Sequence, residues 1–464
     1  MGRMSSQYRV QNPVNNQVVE TFDFISDEDL ATALDRADAA FAQWREVSFE
    51  DRAALLHKIA ELFDAKRPEL TRIIAEEMGK PLDQGEAELN DVVNIFNYYA
   101  DHGAELSADE PIEHSSGEAV IRKVPTGVIV GVMPWNFPYY QVARFAAPTL
   151  MAGNTVLLKH AEICPRSAEA IQAIMDEAIQ ATGAPAHLYT NIRATHDQVA
   201  DLIADMRVQG VSLTGSERAG RAVAATAGQH LKKALLELGG TDAYIVLDTD
   251  DVEAAADTAW GKRIANTGQA CTSNKRIIVM EDIYDDFVDA MVRRAKAFAQ
   301  GDPLDPQEGH FYPLSSRDAA EILDEQVKKA VEEGATLHVG GELTGDGAYF
   351  TPAVLTDVPV GSESYYAEFF GPVAEIYKVA SDDEAVEVAN NSNYGLGGAV
   401  FSQDEERAKK VANRVVTGMI HVNIPQARGP ELPFGGVKNS GFGRELGTLG
   451  MDEFVNKQRF YVAD

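Results

Sequence analysis

The chain is 464 residues long, 45% hydrophobic and 24% charged, an ordinary globular composition with material for two or three domains. Asp and Glu number 72 against 41 Lys and Arg, a formal net charge of −31, which excludes phosphate-backbone binding as the main activity and argues against docking on an anionic membrane. Such an acidic excess on a normal core points to a high-salt, halophilic host, where a screening length of about 3 Å damps self-repulsion; an acidic mesophilic protein kept soluble by its charge is the plainer alternative.

The opening MGRMSSQYRVQNP lacks the apolar core of a secretory signal, and no apolar run reaches membrane-spanning length, so a soluble cytoplasmic protein is expected. Residues 8–24 read as short strands around a turn, with Asn12-Pro13 and Asn15-Asn16 as breakers. A helical region is predicted from about 26 to 105, opened by Ser26 as a cap with Asp27, Glu28 and Asp29 behind it, and interrupted at Gly79-Lys80-Pro81. From 119 the pattern alternates. AVIRKVPTGVIVGVMPW reads as two strands divided at Pro125, and NTVLLKH, AHLYTNI and VQGVSLTG as further strands with helices between them. A second α/β series runs from about 237 to 430, with strands AYIVL, RIIVM, ATLHV, AEIYKV and MIHVN. The fold class expected is α/β, with mostly parallel sheets covered on both faces. The tail FVNKQRFYV reads as an edge strand that pairs within the chain or with another subunit.

Five segments carry candidate chemistry, and each also has a bland reading. NTGQACTS places Cys271 just after a helix, among small residues that leave a nucleophile open to substrate; Cys164, in KHAEICPRS, reads as core. Two thiols in so long a chain make no disulfide framework and fit a reducing compartment. Glu237 ends an apolar strand before Gly239-Gly240, where burial would raise its pKa as a general base needs; otherwise it turns outward. In VMPWNFPYYQVAR, Asn136 is an uncharged donor suited to an oxyanion. A helix beginning near Phe137 would put Asn136, Tyr140 and Arg144 on one stripe, or simply end as a capped helix with a surface Arg. The turn from Gly215-Ser216 to Gly220 offers backbone N–H groups to a pyrophosphate, although neither G-x-G-x-x-G nor a Walker A motif is present. In AEFFGPVAE, Glu368 and Phe370 present a carboxylate and an aromatic, or form a structural turn. No metal is expected.

The joint occurrence of MPWNFP, LLKHAE, LTGSERAG, LELGG, NTGQAC, EFFGPV and PFGGVKNSGFGRELG, in this order, makes the chain resemble the aldehyde dehydrogenase superfamily over essentially its whole length. The resemblance implies a Rossmann-type cofactor domain from 1–106 and 126–236, a catalytic domain from 237–430, and an oligomerisation element from 107–125 and 431–464 that builds dimers or tetramers. It implies that Cys271 is the nucleophile, forming a thiohemiacetal and then a thioester. Asn136 would hold the oxyanion and Glu237 would activate water. Trp135, Lys159, Glu162, Gly215, Ser216, Gly220, Leu238, Glu368 and Phe370 match cofactor positions. Glu162 would repel a 2′-phosphate and favour NAD, with Lys159 beside it to offset that, so NADP stays open. The wording looks most like bacterial-type succinate semialdehyde dehydrogenases, in which Arg144 matches a substrate-carboxylate arginine; the other reading pairs Arg144 with a structural carboxylate. A second arginine found in some of that group is replaced here by Ala265, and Tyr140 and Arg428 are further substrate candidates. Thr241 and Asp242 depart from the commoner wording after LELGG. Competing functions are a broad aliphatic aldehyde dehydrogenase, thioester transfer to coenzyme A, which Glu237 argues against, and a non-redox thiol esterase or binding protein.

Overall fold

The computed structural model describes residues 7–463. Two helix-covered sheets face each other across a cleft, and a small antiparallel sheet stands beside them. The first sheet has six strands in the order Gly441–Phe442, Lys233–Glu237, Val208–Thr214, Val128–Met133, Thr155–His160 and Tyr189–Asn191. Its strands are parallel except for Gly441–Phe442, which lies antiparallel against Leu236 and Glu237. Alternation along these strands feeds two cores. Ile129, Val156 and Leu158 pack on one face against the helices Phe49–Ala65, Leu82–Leu106, Tyr140–Met151 and Pro165–Thr182. Val128, Val130 and Leu157 pack on the other face against Leu30, Leu34 and Ala227. Burying both faces is what makes these strands read as continuous apolar runs.

The second sheet has seven strands, in the order Thr336–Val339, Ala353–Thr356, Val373–Val379, Arg276–Met280, Ala243–Val246, Gly398–Phe401 and His421–Val422. All pairings are parallel except the edge strand Thr336–Val339, which runs antiparallel to its neighbour. Ile277 and Val279 point to a core with Trp260 and Phe287, while Ile278 points to the opposite core with Phe350 and Phe369.

The helical region divides into four helices, Asp27–Trp44, Phe49–Ala65, Arg67–Met78 and Leu82–Leu106. The Ser26 side chain accepts from Asp29 N–H as the cap expected there, and Ser48 does the same for the second helix. Gly79 ends the third helix in the left-handed region at φ 76°, and Pro81 starts the fourth. The tail strand Val455–Val462 pairs antiparallel along its whole length with Glu118–Pro125, and Glu110–Ile112 completes that sheet. The Gly-rich stretch before the tail divides, because Gly441–Phe442 joins the first sheet instead of the small one.

Candidate active site

The first sheet's strand order reverses at Val128–Met133, whose neighbours continue the chain in opposite directions. A crevice therefore opens beyond the carboxyl ends of the strands, the position where such sheets hold ligands. Trp135 and Asn136 follow Met133, Lys159 lies on the next strand with Glu162 just beyond it, and Gly215 and Ser216 follow Thr214. The loops of the second sheet that precede its strands Arg276–Met280 and Val373–Val379 carry Cys271 and Glu368–Phe370 into this crevice.

Cys271 does not follow its helix directly. The helix Val252–Ile264 ends seven residues earlier, and a tight turn over Ala265–Gly268 intervenes. Asn266, Thr267 and Gly268 have φ of 52°, 54° and 73°, a left-handed run that L side chains adopt only when the surroundings enforce it. The enforcement is visible. The buried Arg263 donates to Gly268 O (3.3 Å), Ser273 Oγ (2.8 Å), Phe369 O (2.8 Å), Gly371 O (2.6 Å) and Val373 O (2.6 Å). Gln84 Oε1 accepts Asn266 N–H at 2.6 Å. A Cβ on Gly268 would run into Gly371 O, so this position requires glycine.

Asn136 sits on the loop before its helix, not on it. The helix starts at Tyr140, because Pro138 and the capping of Tyr139 and Tyr140 N–H by Glu88 Oε1 (2.8 and 3.0 Å) fix the entry there. The expected single stripe thus reduces to Tyr140 and Arg144, one turn apart on the helix. Asn136 nevertheless reaches the Cys271 loop. Its Nδ2 donates to Gln269 O (3.0 Å), its Oδ1 accepts from Gln141 (3.0 Å), and its carbonyl accepts from Asn266 Nδ2 and Lys80 Nζ (both 2.8 Å). One amide N–H of Asn136 remains for an oxyanion.

Glu237 does not turn outward. It is 2% exposed, and neither carboxylate oxygen has a hydrogen-bond partner. Burial first, and then the carboxylate of Glu445, push its pKa well above the usual range, against the pull of Arg144 and Arg444. The half-buried Cys271 is pushed up to about 11 by burial, with Arg144 and Lys275 pulling it down. Cys164 is fully buried and raised further, as expected of core.

Cys271 opens into a cavity of about 480 Å³ walled by Tyr140, Gln141, Arg144, Arg428 and Phe434 among others. Arg144 is 1% exposed, makes an ion pair with Glu445, and stacks on Phe434 with 4.0 Å to the ring centre. Pairing with a structural carboxylate, the alternative for Arg144 in the sequence, is therefore present alongside its place in the cavity wall. Arg428 differs. Its side chain is 56% exposed at the rim, with Asp91 at 3.5 Å.

The remaining candidates line the crevice. Ser216 caps the helix Glu217–Gln229 by accepting from Ala219 N–H (3.3 Å), and Gly215 N–H bonds Glu237 O (2.9 Å). A Cβ on Gly215 would meet nothing closer than 3.7 Å, whereas one on Gly220 would lie 2.7 Å from Leu238, so the helix start is open to a ligand and the helix body is pressed onto the strand end. Lys159 Nζ lies 2.5 Å from Glu162 Oε1, and His196 Nε2 lies 3.6 Å from the same oxygen. Trp135 and Phe370 meet edge to face at 5.7 Å, and Glu368 accepts from Gly240 N–H at 3.2 Å. An N-terminal dipole, a hydroxyl cap, a ribose-range carboxylate and two aromatic rings along one crevice fit the donor set that a nicotinamide dinucleotide needs.

Sequence reasoning missed four positioning residues. Lys275, fully buried, ties Cys271 O (3.0 Å) and Ala270 O (2.8 Å) to the Glu368 carboxylate (2.9 Å). Arg263 shapes the nucleophile turn, and the Lys80–Glu88 pair holds the Asn136 loop. Their proximity to the nucleophile in sequence was a signal for Lys275 and Arg263; the Lys80–Glu88 pair had none.

The sequence profile described as the aldehyde dehydrogenase family matches residues 2–460. A Deinococcus radiodurans protein named succinate-semialdehyde dehydrogenase [NADP(+)] is 46% identical over 457 residues, covering 98% of this chain and 95% of that protein. A Mycobacterium ulcerans protein named succinate-semialdehyde dehydrogenase [NADP(+)] 1 is 40% identical over 456 residues, covering 97% and 98%. The crystal structure of succinic semialdehyde dehydrogenase from Streptococcus pyogenes in complex with NADP+ superposes with a TM-score of 0.95 at 44% identity, covering 98% of this chain and 100% of that one.

Proposed function

The chain belongs to the aldehyde dehydrogenase family, and from that premise we propose that it oxidises succinate semialdehyde to succinate with a nicotinamide dinucleotide. The observation that carries the substrate is the cavity. The half-buried thiol of Cys271 shares it with two arginines, in a protein whose net charge is −31. A semialdehyde with a distal carboxylate is the aldehyde such a wall selects. Arg428, exposed at the rim, receives that carboxylate. Arg144, held by Glu445, supplies the positive wall behind it. The names of the relatives point to the same substrate.

In this reading the Cys271 thiolate attacks the aldehyde carbon, and the free N–H of Asn136 takes the oxyanion. A nicotinamide dinucleotide held in the crevice would supply the hydride acceptor, and Cys271 would then carry the acyl group as a thioester. Glu237, unpaired and with a raised proton affinity, takes a proton from water as it attacks the thioester, releasing succinate and the thiol. Lys159 and Glu162 would hold the adenosine ribose, the Gly215–Gly220 turn and Leu238 the pyrophosphate, and Glu368, Phe370 and Trp135 the nicotinamide end. Glu162 alone would favour NAD. With Lys159 and His196 both on its one oxygen its repulsion of a 2′-phosphate is weakened, and we assign NADP as an accepted cofactor beside NAD. Of the described residues, 7–106 and 126–236, with Gly441–Phe442, form the cofactor half, and 237–430 the catalytic half. The chain associates as a dimer or tetramer through the small antiparallel sheet in the cytoplasm. Succinate semialdehyde mixed with enzyme and each cofactor in turn should give the absorbance of the reduced nicotinamide, at a higher kcat/KM than butanal. Equal kcat/KM for the two aldehydes would replace the substrate by a broad aliphatic range, and no reduction with any aldehyde would sink the reading.

A further inference from the structure

Behind the Cys271 cavity lies a small crevice walled by Asp242, Lys262, Thr272, His421 and Gln426, and Thr272, His421 and Gln426 face both spaces. Lys262 is partly buried on the last turn of the helix Val252–Ile264, nine residues before Cys271. No carboxylate of the described residues comes within ion-pair distance of its ammonium; Asp242 acts on it through space alone. Its hydrogen bond goes to Gln426 Oε1. Gln426 belongs to the same loop as Arg428, two residues on, and both line the cavity.

Arg428 has Asp91 at 3.5 Å, whereas Lys262 has no carboxylate at ion-pair distance among the described residues, so Lys262 is held in this wall without an ion pair. Burial first and then the like charge of Arg428 lower Lys262 to about 8, against the pull of Asp242, so it is still charged at neutral pH. Like charges held side by side in a half-dry wall repel each other. An anion entering the cavity would offset that repulsion. The Lys262–Gln426 bond joins the Arg428 loop to the helix that leads into the nucleophile turn.

We infer that Lys262 is a positioning residue for substrate selection: through Gln426 it fixes the loop that carries Arg428 and adds a second positive charge behind the site where the semialdehyde carboxylate binds. The inference rests on the carboxylate role of Arg428 proposed above. A merely structural role is the simple alternative, since a basic side chain in the last turn of a helix is favourable with the helix dipole.

Steady-state kinetics of the full-length enzyme on succinate semialdehyde and on butanal, which has the same chain length without the carboxylate, separates them. K262M and Q426A should each raise KM for succinate semialdehyde about tenfold, with kcat and the butanal KM changing less than about twofold, and K262R should stay within about threefold of the parent. Q426A keeps the test open if K262M does not fold. A K262M or Q426A enzyme that loses kcat alike on both aldehydes, or whose KM values do not move, overturns the inference. R428A tells the two failures apart. If R428A raises KM for succinate semialdehyde selectively while K262M and Q426A do not, the positioning role alone is wrong. If R428A does not discriminate between the aldehydes, the carboxylate reading falls and takes the inference with it.

Discussion

At the scale of single residues, the active-site thiol is set by a contest between burial and charge. Burial drives Cys271 up to about 11, and Arg144 and Lys275 pull it back only part of the way. With no cofactor added, the thiol should be sluggish: at pH 8 its alkylation by iodoacetamide should run about 100-fold slower than that of a thiol with the ordinary value near 9, and it should keep rising through pH 10 where an ordinary thiol has levelled off. C271A supplies the background from Cys164. A rate that levels by pH 8 would mean that the cations win. The sequence made the nucleophile, the base and the amide donor legible because each stands in a short motif whose residue types have a chemical reason to be together. It did not make their partners legible. Glu445 meets Arg144, and Lys80 meets Asn136, across stretches of chain that no local pattern connects. The unpaired state of Glu237 likewise depends on what the fold leaves out of its surroundings.

At the scale of elements, strands were legible because sheets buried on both faces demand continuous apolar runs, and helices because Ser26, Ser48 and Gly79 mark their ends. The errors fell where tertiary contacts override local preference. The helix after Asn136 begins late because Glu88 caps it from a distant helix. The Cys271 turn is left-handed because Arg263 pins it. The tail strand carries a consequence of its own. Val455–Val462 uses one edge to pair with Glu118–Pro125, and it stands at the end of its sheet. Phe460, Tyr461 and Val462 are 42%, 41% and 47% exposed, an apolar strand end of the kind that proteins normally cover. If self-association runs through this strand, F460K/V462K should lower the mass seen by light scattering towards the 50.4 kDa of one chain while far-UV circular dichroism stays unchanged. A variant that keeps the parent's mass would place the subunit contact elsewhere.

At the scale of the whole molecule, the net charge of −31 and the anionic substrate proposed here pull in opposite directions. Part of the acidity stands where it does local good. Asp27, Glu28 and Asp29, Glu281 and Asp282, Asp382 to Glu384, and Glu405 and Glu406 all occupy first turns of helices, where a negative charge favours the dipole. Cations gather in the cleft as well, Lys159, Arg144, Lys262, Lys275 and Arg428, most of them beside a carboxylate such as Glu162, Glu445, Glu368 or Asp91. Salt should therefore act on the two regions with opposite results. Across the surface it screens repulsion among acids, so raising KCl from about 0.1 to about 3 M should raise the melting midpoint by roughly 10 °C, a shift worth on the order of 10 kcal/mol in a chain of this size. At the rim of the cavity it screens attraction, so KM for succinate semialdehyde should rise over the same range while that for butanal holds. Melting followed by circular dichroism and kinetics on the two aldehydes would read both effects on one preparation. A midpoint that falls with salt would remove the high-salt explanation of the acidity, and a KM rising equally for both aldehydes would detach the cationic rim from substrate choice.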